Sequence, residues 1–278
     1  MTEPYFPNQP ELLLKQEARL RAIATGLPEA ERLELYSALS ACVPSFEPTT
    51  YQIEDDAVIV VQRGQEIAFP RPIPLVKLAL ITFGYEQWLQ RKYALPGFVQ
   101  VRPGDVVVDC GSYVGGFSLS AAPVASQVHA FEPERRNAAC AKRNLSRFGN
   151  VRVVECGLHD RSDEMTLNVS PSSVEHSFLR PDDGVTIEER SVRVVALADY
   201  ARANDISRFD FVKIEAEGVE LEVFAGLGEM RPAQFAIDVS PERDKTSPAA
   251  EFRSLLEPLG YAVRQRGQVM FARLLEAD

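Results

Sequence analysis

The segment Val106-Val-Val-Asp-Cys-Gly-Ser-Tyr-Val-Gly-Gly-Phe-Ser118 restricts the fold more than any other stretch of the chain. Its consecutive valines suit a strand buried on both faces, and the acid and glycine turn that follow end that strand abruptly. Gly111 and Gly115 let the backbone turn sharply and approach a ligand, and Phe117 to Ala122 reopens as an apolar helix whose free N–H groups face the turn. About twenty residues beyond the turn, Gln127-Val-His-Ala-Phe-Glu132 makes a second short strand ending in an acid, where doubly wound folds hold the two hydroxyls of a ribose. Strand, glycine turn, helix, strand and acid together imply a nucleoside-binding half-domain.

The nucleoside is narrowed by details. A dinucleotide loop reads Gly-x-Gly-x-x-Gly and makes room for a pyrophosphate, whereas here Tyr113 stands where the second glycine belongs and Asp109 precedes the first. The pattern Asp-x-Gly-x-x-x-Gly resembles motif I of class I S-adenosylmethionine methyltransferases, whose ligand carries an amino-acid tail in place of phosphates.

Composition bounds the partners. The 278 residues hold 45% hydrophobic and 25% charged side chains, ordinary for a soluble globular chain, and they suffice for one large α/β domain with a substantial extension. A formal charge of −10 argues against a nucleic-acid footprint, which needs a basic face. Lys142, Arg143 and Arg147 fall at helical spacing and read as a solvated face. Cys42, Cys110, Cys140 and Cys156 have no metal-ligand spacing and read as small core residues in a reducing compartment. The first residues lack the pattern of a signal peptide, and the apolar run from Val76 to Phe83 is too short to span a bilayer, so a cytoplasmic protein without membrane attachment is expected.

In chain order, Glu11 to Ala41 predicts two amphipathic helices separated by Gly26-Leu-Pro28, with Leu33, Tyr36 and Leu39 on the second apolar face. Tyr51–Glu54 and Ala57–Val61 predict a β-hairpin, Gln65–Phe69 a third strand, and Leu75–Leu95 a helix interrupted by Gly84. From Pro103 onward strands and helices alternate, which implies a parallel sheet. Its later strands are expected at Val151–Glu155, Phe209–Ile214 and Gln234–Val239. Two short strands, Met165–Val169 and Ser191–Val195, bracket a polar loop of about twenty residues from Ser170 to Arg190, long enough to suspect function. Helices are predicted over Glu134–Arg147, Ala196–Asn204, Val219–Gly226 and Ala249–Leu256. Tyr261–Arg264 and Gln268–Arg273 close the chain as an antiparallel hairpin. The division expected is an N-terminal extension over 1–95, serving as lid, substrate cap or homodimer contact, and a cofactor-binding domain over 96–278.

The fourth sheet strand carries the second informative motif, Lys213-Ile-Glu215-Ala-Glu217-Gly218-Val-Glu220. Two acids at i and i+2 at the carboxyl end of a strand point the same way if the strand continues, and Lys213 beside them offers an ion pair. This motif resembles the Lys-Ile-Asp-Val-Glu-Gly-x-Glu signature of the FkbM methyltransferases. Gly84-Tyr-Glu86, Val108–Gly115 and Ala130-Phe-Glu-Pro133 agree with the same family, so the resemblance runs from Gly84 to Val239. It implies a Rossmann-like class I methyltransferase fold, a mostly parallel sheet closed by the terminal hairpin. It also implies S-adenosyl-L-methionine as cofactor and a small acceptor, a hydroxyl of a sugar or secondary metabolite. Carried over by position, Asp109, Gly111, Ser112, Tyr113 and Gly115 shape the cofactor loop, and Glu132 and Pro133 meet the ribose. Gly157 and Leu158 border the adenine, and Glu86 reaches the methionine end. Glu215 stands where the family has Asp, and Asp238 where Glu is expected.

Methyl transfer to an alcohol also needs the hydroxyl proton removed, and the residues able to do so are Glu215, Glu217, His159 and His176. A divalent metal held by Glu215, Glu217 and Asp238 has few convergent oxygens to support it, and no metal site is expected. A nicotinamide-dependent oxidoreductase and a non-catalytic binding protein on the same fold are the alternatives.

Overall fold

The computed structural model describes residues 21–43, 46–169, 188–243 and 245–275. Helix α1 (Glu29–Cys42) buries Leu33, Tyr36 and Ser40, so its inner face runs through Ser40 and leaves Leu39 at the margin. Three antiparallel strands follow, β1 (Thr49–Ile53), β2 (Ala57–Gln62) and β3 (Gln65–Pro70), in that order across a small sheet. Helices α2 (Leu75–Thr82) and α3 (Tyr85–Lys92) then flank Gly84, the interruption its position implies. Gln62 ties these pieces together, donating to Thr49 Oγ1 at 2.7 Å and to the Ile81 carbonyl at 2.5 Å.

The alternating region begins with β4 (Val106–Cys110), α4 (Gly116–Ala121), β5 (Gln127–Phe131), α5 (Arg135–Leu145) and β6 (Val151–Val154). Next come β7 (Gly157–His159), β8 (Asp163–Val169) and β9 (Glu188–Ala196), a second three-stranded sheet in the order β7-β9-β8. Strand β7 is too short to carry a period of two, and the sequence gives it no signal. The arms β8 and β9 are longer than the pattern predicts, and the loop between them lies outside the described residues. The chain closes with α6 (Leu197–Ala203), β10 (Phe211–Ile214), α7 (Glu220–Ala225), β11 (Gln234–Asp238), α8 (Ala249–Leu256), β12 (Tyr261–Arg266) and β13 (Val269–Leu274).

Strands β6, β5, β4, β10 and β11 pair in parallel, and β13 and then β12 add antiparallel at the β11 edge to complete a seven-stranded sheet. This is the Rossmann-like architecture with a terminal hairpin that the motifs imply. Alternation along each strand sends neighbours to opposite faces. Val107, Phe211, Ala236 and Phe271 join one apolar cluster with α2 to α5, and Val108, Val212, Ile237 and Met270 join another with α6, α7 and α8. Burial on both faces explains why these strands read as unbroken apolar runs. The first cluster also takes in Val58, Ile59 and Phe69, so the small sheet shares the core of the large one. Asn144 of α5 fixes that contact: Oδ1 accepts the Ala68 N–H at 2.7 Å, and Nδ2 donates to the carbonyls of Ala68 and Val114 at 3.0 and 2.8 Å. No helix among the described residues is long and apolar enough to cross a membrane.

Candidate active site

From β4 the chain moves outward to β5 and β6, and from β10 it moves the other way to β11, so strand order reverses between β4 and β10. Loops leaving the carboxyl ends of those two strands part and leave a crevice, where open α/β sheets bind ligands. A cleft of about 700 Å³, part of it open to solvent, occupies that place, and Gly111, Tyr113, Glu132, Glu215 and Glu217 line it.

The loop after β4 owes its shape to three left-handed residues, Gly111, Tyr113 and Gly115. Gly111 has φ 70°, and a Cβ there would lie 1.9 Å from the Glu215 carbonyl oxygen, so the two motif loops touch through backbone. Tyr113 has φ 51°, which a side chain adopts only when its surroundings hold it there. Its N–H donates to Glu132 Oε2 at 2.8 Å, linking the loop to the acid that ends the second strand. Its ring lines the cleft where a dinucleotide loop would leave room for phosphate.

Glu132 is 6% exposed, and its Oε1 accepts the Glu134 N–H at 2.9 Å. Burial pushes its carboxyl up to about 7 in spite of these donors. A carboxylate has lone pairs left over after two or three bonds, and two further hydroxyl donors would stabilise its charge. A ribose diol offers that pair, so the residues present fit an adenosyl ligand. Pro133, Gly157, Leu158 and Leu167 line the same end.

The opposite end is a network of lysines and acids. Lys213 donates to the carbonyls of Cys110 and Gly111 at 2.9 and 2.8 Å, and lies 3.1 Å from Asp109 and 3.3 Å from Glu215. Asp109, fully buried beneath the loop, also accepts from Ser118 Oγ at 2.7 Å. Lys92 of α3 sits 2.6 Å from Glu215 and 2.7 Å from Asp238. Burial opposes the Lys92 charge, but Glu215 and Asp238 outweigh it and raise its pKa. Burial likewise opposes the Glu215 charge, and Lys92 and Lys213 overcome it, holding this carboxyl well below the usual range. Glu217 differs: burial first, and then the Glu215 charge, push it up to about 8.

Strand β10 stops at Ile214 and Glu217 takes φ 49°, so the two acids do not share a strand face as continued strand geometry would require. The turn still brings both to the cleft, and Glu220 Oε1 braces it by accepting the N–H groups of Ala216 and Gly218 at 2.9 and 3.1 Å. Of the three carboxylates weighed from sequence as metal ligands, Glu215 and Asp238 share the Lys92 ammonium. Among the described residues no group of His, Cys, Asp and Glu side chains is placed to hold a metal ion. His159 is not among the cleft residues; its Nδ1 lies 2.6 Å from Asp160 Oδ1, since alternation along β7 sends Leu158 to the cleft and His159 elsewhere. Glu86 also stays out of the cleft, and burial raises its carboxyl against the pull of Arg147 and Arg63. Ser112 and Gly115 shape the loop without lining the cleft, Gly115 as the residue that starts α4. His176 lies outside the described residues. Sequence reasoning missed Lys77, which lines the cleft, and Lys92, which neutralises its acids. Both come from helices far upstream in sequence, and no local spacing marks them.

Residues 109–263 match the methyltransferase FkbM domain family. Over 205 residues the chain is 26% identical to the 31-O-demethyl-FK506 methyltransferase FkbM of Streptomyces tacrolimicus, a match covering 63% of this chain and 79% of that one. Over 213 residues it is 25% identical to Methyltransferase 1 of Beauveria bassiana, covering 68% and 84%. Among solved structures, methyltransferase FkbM from Methylobacillus flagellatus is 17% identical with a TM-score of 0.45, covering 72% of this chain and 53% of that one. This chain therefore spans about half the length of that solved structure.

Proposed function

The chain belongs to the methyltransferase FkbM family, and on that premise we propose that it transfers the methyl group of S-adenosylmethionine to a hydroxyl of a small acceptor, with Glu217 as the base. One observation carries the reading: a single cleft gathers the glycine loop, the buried acid Glu132 and the pair Glu215 and Glu217. Bound there, the cofactor supplies an electrophilic methyl carbon whose leaving thioether needs no proton.

The chain's own residues do the rest. Glu132 accepts the ribose hydroxyls, and Gly157 and Leu158 border the adenine. Glu215, ionised between two lysines, gives the cleft a fixed negative charge to face the sulfonium. The same lysines make Glu215 a poor base, because a proton there displaces a pair of ionic contacts. Glu217 is the better one: with a pKa of about 8 it accepts the acceptor's proton and still ionises near neutral pH. A positioned base of this kind contributes on the order of 10²–10⁴-fold, on top of roughly 7–11 kcal/mol from aligning the two substrates. The name of the Streptomyces relative, a 31-O-demethyl-FK506 methyltransferase, supports an oxygen acceptor of the secondary-metabolite class.

Titration calorimetry with S-adenosylmethionine, S-adenosylhomocysteine and NADH tests the cofactor assignment. The expected result is micromolar binding of both adenosyl ligands, no binding of NADH, and a loss of about 10- to 100-fold in Glu132→Ala. A folded protein that binds neither adenosyl ligand would sink the reading.

A further inference from the structure

The amino-acid tail of the proposed cofactor carries a carboxylate, and a buried carboxylate needs a cation or several hydrogen-bond donors. Three lysines stand at that end of the cleft. Lys92 is engaged by Glu215 and Asp238, and Lys213 by Asp109, Glu215 and two carbonyls. Lys77 has no acid within ion-pair distance among the described residues, although it lines the cleft with Glu215 and Glu217. Its Nζ lies 5.1 Å from the centroid of the Tyr113 ring, so the ammonium is held over the cofactor loop by an aromatic face.

Resting on the cofactor assignment above, we propose that Lys77 is the anchor for the α-carboxylate of the methionine portion, supplied by a helix that precedes the family-matched region. The placement suits a zwitterionic tail: among the described residues Lys77 is the one cation at the cleft wall without an ion-pair partner, with acids beside it for the ammonium. Burial, aided by Lys92 and Lys213, holds its pKa below the ordinary lysine value despite the pull of Glu215 and Glu217. An incoming carboxylate relieves that burden, which favours the ligand that carries one.

The test compares S-adenosylmethionine with its decarboxylated form, which keeps the sulfonium and the amine, by titration calorimetry on wild type, Lys77→Met and Lys77→Arg. Wild type should prefer the carboxylate-bearing ligand by about 10- to 100-fold, the weight of one charge-assisted hydrogen bond. Lys77→Met should bind the decarboxylated form no worse and lose the preference, and Lys77→Arg should retain part of it. Equal weakening of both ligands in Lys77→Met would assign Lys77 a structural role and overturn the proposal. Unchanged preference in a variant that still binds would overturn it too, and would turn Lys77 toward an anionic group of the acceptor. If wild type binds neither ligand, the cofactor assignment itself has failed, an outcome distinct from these.

Discussion

Replacing Lys92 with Met probes how the cleft tolerates so many acids. The methionine fills the lysine stem's space beside Tyr93, whose ring centroid lies 4.8 Å from the ammonium, but removes the charge. Asp238, with 4% of its side chain exposed, would keep the Ser240 N–H at 2.9 Å and lose its cation. Glu215 would keep Lys213 at 3.3 Å and lose its shorter contact. Breaking a buried ion pair from one side costs about 3–5 kcal/mol. The retained Lys213 contact places this variant near the lower end, about 3 kcal/mol by urea denaturation at about pH 7.5. The pH dependence follows from linkage. In wild type Lys92 overcomes burial and helps hold the Glu215 carboxyl below its unfolded value, a contribution that is full above about pH 4.3 and fades below it, so the gap to wild type narrows as pH falls toward about 3. A loss under about 1 kcal/mol, or a gap equal at both pH values, would refute the reasoning that Lys92 holds these carboxylates.

Three other perturbations read different parts of the structure. Glu217→Gln should leave S-adenosylhomocysteine affinity within about 3-fold while lowering kcat by about 10²–10⁴-fold on an acceptor found by screening, and the wild-type rate should rise with pH through about 8 as Glu217 ionises. Burial, with Arg152 adding to it, pushes His129 down to about 4, so its contribution is full above about pH 6.5 and is lost as pH falls through about 4. That amounts to about 3 kcal/mol, and His129→Gln should flatten the acid limb of a stability profile. Gly111→Ala forces a Cβ to 1.9 Å from backbone at φ 70°, and should cost more than about 3 kcal/mol by denaturation. Gly115→Ala should cost less, because its nearest neighbour, at 2.7 Å, is the movable end of the Leu145 side chain.

Much of this protein was legible in the order of its residues. Apolar runs buried on both faces, the glycine turn after Asp109 and the acid at Glu132 are local features, and each sets backbone conformation or strand burial within a few residues of itself. They carried the parallel sheet, the terminal hairpin and the place of the cleft. Short strands were less legible: β7 is three residues long, and its pairing with β9 bridges more than thirty positions. The direction of Glu217 was not legible either, because the turn after Ile214, with positive φ at Glu217 and again at Gly218, decides it.

The charge state of the site was decided by tertiary structure alone. Glu215 and Glu217 look alike in sequence, yet one lies 2.6 Å from a lysine 123 positions earlier and is held ionised, while the other is raised by burial and by its neighbour's charge. Local sequence sets backbone form through sterics that act over a few bonds. Proton affinity depends on which charges lie within a few ångströms and on how much water has been excluded, and only the packing of α2 and α3 against the sheet determines both.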